Sequence, residues 1–240
     1  MTDLPADHPF AADGTAGGLR EALVARQHGG GPNLEHRVSV ADAARRLIDE
    51  LLSTTAPDAT LAEAAALVQQ ANALLRGQPH GRPYDSFAES SISGDARGFL
   101  DNSPVAGALN PLAPPLRVEV EGDRVIGIAT FSQAYEGPPG CIHGGFIAAT
   151  FDEVLGFVQS FTGRPGMTGR LTVRYRSPSP LFRPVRFEGW VDRVEGRKIF
   201  TQATLHDGDT LTAEAEGLFI SIDPEVFLRL MDQRLAGPSR

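Results

Sequence analysis

Gly140-Cys141-Ile142-His143-Gly144-Gly145-Phe146-Ile147-Ala148-Ala149-Thr150-Phe151-Asp152 is the stretch that decides the architecture. A glycine-rich turn with one histidine runs straight into an apolar helix that carries a carboxylate two turns in. The helix is expected over residues 144–161. Phe146, Ile147, Phe151, Val154, Leu155, Phe157, Val158 and Phe161 make it apolar nearly all round, so it must be buried. An antiparallel sheet curling around it would bury it.

The flanking sequence reads as that sheet. Residues 116–121 and 124–131 are expected strands joined by a tight turn at Gly122-Asp123. Residues 171–177, 185–194, 198–206 and 210–222 are four more, separated by Pro178/Pro180/Pro184, by Glu195-Gly196-Arg197 and by Asp207-Gly208-Asp209. In the last strand, Leu211, Ala213, Ala215, Gly217 and Phe219 share one face. Thr212, Glu214 and Glu216 fall mostly on the other. Small residues on the inner face let a helix sit close. The class is α+β.

Upstream the texture differs. Residues 1–38 are rich in Gly, Pro, Ala and Asp and hold at most a short helix near 18–27. A helix is expected from Ser39 to about Leu52, with Val40, Ala44, Leu47, Ile48 and Leu51 on one face. A second is expected over about 59–76, ending at Gly77, and the two look like an αα-hairpin over 39–76. Residues 77–115 read as a linker or wrapping loop. The division expected is therefore 1–95 as an extension and 96–240 as the main domain.

Bulk properties exclude several classes. The chain has 240 residues, 41% hydrophobic and 22% charged, with a net charge of −8. These are ordinary globular values, and the acidic balance argues against general nucleic-acid binding. Cys141 is the sole cysteine, so no intrachain disulfide forms and a reducing, cytoplasmic setting is expected. No apolar run approaches the roughly 18 residues of a membrane span, and the N-terminus does not read as a signal peptide. None of the six histidines shows a metal-ligand spacing, so neither metal nor redox cofactor is expected.

The helix start suggests acyl-transfer chemistry. Unpaired backbone N–H groups and a partial positive charge suit a carbonyl oxygen gaining negative charge. Asp152 lies on a stripe of small residues with Gly145, Ala148, Ala149 and Gly156. It is either a hydrogen-bonded buried acid without chemistry or a reactive group facing a ligand. Glu153 points about 100° away and is expected to face solvent or a pairing arginine. His143 either fixes the turn or touches the carbonyl; a Cys141–His143 nucleophile pair is the less favoured reading. Gly144 and Asp152 are separated by about 12 Å of helix rise. One carbonyl cannot touch both on one helix, so joint action requires two antiparallel helices in a two-fold dimer.

From about Val118 to Pro224 the pattern resembles the hotdog-fold thioesterases of the PaaI-like acyl-CoA group. The resemblance rests on His143-Gly144-Gly145, Asp152 nine residues after the histidine, Pro165-Gly166-Met167-Thr168, Thr172-Val173-Arg174-Tyr175-Arg176-Ser177-Pro178 and Val194-Glu195-Gly196-Arg197-Lys198. Gly137-Pro138-Pro139-Gly140 and the last of these turns are most similar to animal thioesterases related to the carboxyl-terminal modulator protein. The resemblance implies a hotdog fold, hydrolysis of an acyl-CoA to coenzyme A and a free acid, and a homodimer with composite sites that is expected to assemble into a tetramer, as in many relatives. Gly144 N–H would polarise the thioester oxygen, with Gly145 beside it. Asp152 of the partner subunit would act as general base on water or as nucleophile. Thr168 would hold the water or the carboxylate, and His143 would support the turn and contact the carbonyl. Some relatives carry Asn or Gln six residues before the histidine, where Gly137 stands here. The rivals are a non-catalytic acyl-CoA-binding module and an enoyl-CoA hydratase or dehydratase.

Residues 164–200 hold nine basic side chains against Glu188, Asp192 and Glu195. This strip is either a solvated strand face or a dock for the phosphates of coenzyme A. Arg174, Arg176, Arg197 and Lys198 are the candidates for the latter.

Overall fold

A computed structural model describes residues 33–78, 101–114, 116–164 and 166–221. The expected helix near 18–27, most of the 77–115 linker, Pro165 and residues past 221 lie outside the described residues.

Six strands form one antiparallel sheet: β1 (Arg117–Glu121), β2 (Arg124–Thr130), β3 (Gly166–Tyr175), β4 (Pro184–Glu195), β5 (Lys198–Asp207) and β6 (Thr210–Ser221). The order across the sheet is β1-β2-β4-β5-β6-β3, so β1 and β3 are its edges. All six expected strands are present, and β3 starts five residues earlier than its apolar alternation suggested. Two helices, α1 (Leu34–Ser53) and α2 (Asp58–Arg76), precede the sheet, and α3 (Gly144–Ser160) lies in its concave face.

Glycines set the depth of that seat. A Cβ on Gly189 of β4 would lie 2.9 Å from Val154 Cγ1 of α3, and one on Gly217 of β6 3.1 Å from Leu155 Cδ1. Phe151, Val154, Leu155 and Val158 consequently reach full burial against Phe187, Ile199 and Leu205. Burying a side chain of this kind contributes about 1.5–3 kcal/mol, so α3 is the principal core element. On its outer face, by contrast, no described residue packs at Gly156: a Cβ there would meet nothing within 4 Å.

Two expectations about faces need correcting. Thr212 is buried, not outward, because β6 carries an irregularity opposite Leu205/His206 that turns it in. There its hydroxyl bonds to Leu205 O and accepts from Ser179 Oγ. In α1 the apolar residues Val40, Leu47 and Leu51 are exposed, while Ala41 is buried and Arg45 and Ile48 half-buried. Arg45 takes the inward position because it supplies donors to a carbonyl-rich loop, bonding Gly107 O, Ala108 O, Asn110 O and Ala113 O at 2.7–3.0 Å. The second helix forms as expected, yet α2 buries none of its residues.

Candidate functional site

The glycine turn is built to release one amide. His143 is the N-cap of α3, with extended φ and ψ, and its Nδ1 accepts from Gly145 N at 3.0 Å. The His143 carbonyl accepts from Phe146 N and Ile147 N. Of the four orphan amides at this helix start, only Gly144 N–H has no partner among the described residues. His143 therefore fixes the turn, with Nδ1 as acceptor and the proton on Nε2. Its own amide donates to Tyr135 O at 2.9 Å. Cys141 Sγ turns instead to Pro139 O, so the cysteine and histidine do not form a nucleophile pair.

Close backbone packing explains the glycines. A Cβ on Gly137 would lie 2.7 Å from His143 Cα, so no side chain fits where some relatives place an amide residue. A Cβ on Gly144 would meet the Tyr175 ring at 3.2 Å. Tyr175 Oη donates to Gly144 O at 2.7 Å and braces the helix start from β3. In the sequence Tyr175 is one member of the 172–178 motif, and its contact with Gly144, thirty-one residues away, is visible only once β3 lies beside the start of α3.

Asp152 sits on the outer half of α3, half-buried, and accepts a hydrogen bond from Thr168 Oγ1 of β3 at 2.8 Å. The structure thus brings Asp152 and Thr168 together and keeps both apart from Gly144 of the same chain, as the helix rise requires. Glu153 does not face solvent. It accepts from the buried Ser103 Oγ at 2.5 Å, and burial pushes its carboxyl up to about 7, with the Asp152 charge adding and the Ser103 bond opposing. Ser103 also accepts from Val105 N and Ala106 N, so Glu153 anchors the 101–114 loop. The helical angle alone could not show that this loop covers it.

The basic strip divides. Arg174 and Arg176 converge on Glu214 at 3.6 and 2.5 Å, near Tyr175 and the start of α3. Arg197 bonds to Ser221 O, and Lys198 pairs in register with Ile220, whose other neighbour is Met167. Met167 lies seven residues from Arg174 along β3, roughly 23 Å at strand rise. Within one chain the four candidates are two separate pairs. Arg183, Arg186 and Arg193 are committed to acidic neighbours. Among the described residues no cluster of three or more His, Cys, Asp or Glu is arranged to hold a metal, and no helix is long and apolar enough to cross a membrane.

A cavity of about 490 Å³ opens beside the helix start. Its walls come from α1, the 104–114 loop, the 130–135 segment and the Phe146/Ala149/Thr150 side of α3. Tyr135 lines it, with its hydroxyl donating to Leu112 O and its pKa pushed up to about 12 by burial.

Comparison with known proteins gives this geometry a family. The thioesterase superfamily profile matches residues 139–214. Acyl-coenzyme A thioesterase THEM4 of Bos taurus is 41% identical over 92 residues, which cover 38% of this chain and 38% of that protein. The Xenopus laevis THEM4 is 42% identical over 91 residues, covering 37% and 41%. The chain thus spans about two fifths of the length of the curated relatives it matches. The crystal structure of a thioesterase superfamily protein, 34% identical, superposes with a TM-score of 0.69 over 77% of this chain and 94% of that one. With a six-stranded antiparallel sheet wrapped around α3, the chain belongs to the thioesterase superfamily and has its hotdog fold.

Proposed function

We propose that the chain is an acyl-CoA thioesterase whose active unit is a two-fold dimer. The Gly144 amide, without a partner among the described residues, carries this reading: it is a donor at a helix N-terminus, where negative charge is favoured. Asp152, with one oxygen bound by Thr168, is the carboxylate for water activation. The small-residue face of α3, open at Gly156 among the described residues, and the exposed edge strand β3 are surfaces on which a second copy can pack.

In the antiparallel arrangement, Gly144 of one subunit meets Asp152 of the partner subunit. The Asp152 carboxylate takes a proton from water as the water oxygen attacks the thioester carbon. The oxyanion rests on Gly144 N–H. The C–S bond then breaks, the thiolate receives the proton from Asp152, and coenzyme A and the free acid leave. No metal or redox cofactor enters this scheme. The same two-fold axis unites the divided basic strip, bringing Arg174 and Arg176 beside Arg197 and Lys198 of the partner subunit, around one set of phosphates. A dimer suffices, and a tetramer would hold two such dimers. Residues 96–240 are the catalytic unit in this reading, with 1–95 an extension. A reducing, cytoplasmic setting fits the sole cysteine.

The test is free-thiol release from a panel of acyl-CoA thioesters. The wild type is expected to release thiol, and Asp152→Ala to lose at least about tenfold while remaining folded. Binding of acyl-CoA without release would contradict the activity. Unchanged release by the variant would remove Asp152 from the mechanism.

A further inference from the structure

We propose that the cavity beneath α1 receives the acyl tail of the thioester, and that α1 and the 101–114 loop restrict that tail to an uncharged aliphatic chain. This rests on the thioesterase reading and names its substrate class. Both elements lie outside residues 139–214, where the family profile matches.

Position comes first. Phe146 and Ala149 line the cavity and follow Gly144 on the same helix. They stand about 3 and 7.5 Å along its axis. A thioester whose oxygen rests on the Gly144 amide has its tail within one to two turns of this opening.

Wall chemistry comes second. Ile48, Val105, Leu112 and three prolines supply apolar surface. The cavity's one cation among the described residues, Arg45, is held by its own loop: Nε and Nη2 donate to four loop carbonyls, and Nη1 pairs with Asp42 at 2.6 Å. The Asp42 carboxylate offsets its charge, which weakens its pull on a carboxylate carried by the tail. Asp49 faces the cavity as well, with Oδ1 accepting from Ala134 N at 3.2 Å. Its charge repels an anionic tail, and an unpaired charge in such a site is costly. Volume agrees: about 490 Å³ is within the usual range for a small-molecule site and far exceeds an acetyl group.

The experiment measures kcat/KM for acetyl-, octanoyl-, dodecanoyl- and ω-carboxydodecanoyl-CoA with the full chain. The wild type is expected to favour dodecanoyl over both acetyl and ω-carboxydodecanoyl by at least about tenfold. Val105→Trp, which fills the cavity, should lower dodecanoyl turnover at least tenfold, chiefly through KM, and leave acetyl within twofold. Asp49→Asn, which keeps the acceptor for Ala134 N, should narrow the discrimination against the ω-carboxy tail. Equal loss at all chain lengths, or none, overturns the proposal. Calorimetric binding of dodecanoate to wild type and Val105→Trp separates it from the activity itself. Binding lost in the variant upholds the cavity even if no thioester is cleaved, and binding unchanged refutes it even if thioesters are cleaved.

Discussion

The Thr168 hydroxyl donates to the Asp152 carboxylate at 2.8 Å, linking edge strand β3 to the outer face of α3. A hydrogen bond to a charged acceptor contributes about 1.5–3 kcal/mol, and this one fixes which Asp152 oxygen stays available. Thr168→Val should therefore lower kcat roughly tenfold, whereas Thr168→Ser, which keeps the hydroxyl, should stay within about threefold of wild type. Equal activity of the valine and serine variants would show that the bond has no part in turnover.

Tyr175 braces the start of α3 through Gly144 O. Tyr175→Phe retains the ring that packs on Gly144 and removes only the donor. One neutral hydrogen bond is about 1 kcal/mol, so kcat should fall roughly fivefold with KM little changed. A rise in KM at constant kcat would assign Tyr175 to substrate binding instead.

Glu153 makes stability depend on pH. Its folded pKa is raised to about 7 from 4.5, so between those values the folded state holds more protons than the unfolded chain. Stability then falls as pH rises from about 4.5 to 7 and levels off above. Glu153→Gln can still accept from Ser103 and carries no charge. Thermal melts should show the variant more stable than wild type at pH 8, with a flatter profile across that window. An identical profile would mean that Glu153 is not the source.

Gln159 is fully buried at the end of α3, and neither its Oε1 nor its Nε2 has a partner among the described residues. An unsatisfied buried group costs about 1–3 kcal/mol. Gln159→Met, of similar volume, should raise the melting temperature by several degrees. A lowered melting temperature would show that the amide is satisfied in solution.

The legible parts of the fold were those set by local period. The all-round apolar pattern of 144–161 identified α3, and alternation bounded by Gly/Pro turns identified the strands. The separation of Gly144 from Asp152 within one chain followed from helix rise alone, because eight residues lie between them. What stayed hidden was set by distant pairing. Thr212 turns inward at an irregularity in the β5–β6 register, Glu153 is covered by a loop fifty residues upstream, and Arg45 displaces the leucines of α1 to satisfy loop carbonyls. The basic strip is continuous in sequence but divided in space, because Arg174 and Arg176 stand at one end of β3 while Arg197 and Lys198 lie across β6 from the other.

The central claim is that the Gly144 amide and the Asp152 carboxylate of one site come from different chains. Gly144→Pro removes the N–H at the first helical position, with Gly144→Ala, which adds the same Cβ against Tyr175 but keeps the N–H, as its control; Asp152→Ala removes the acid, and the proline and Asp152→Ala variants should each lose at least about tenfold on their own. Heterodimers of the two, purified through different tags, would carry one doubly defective and one intact site, so they should regain about half of wild-type thiol release. Heterodimers as inactive as either parent would contradict the account.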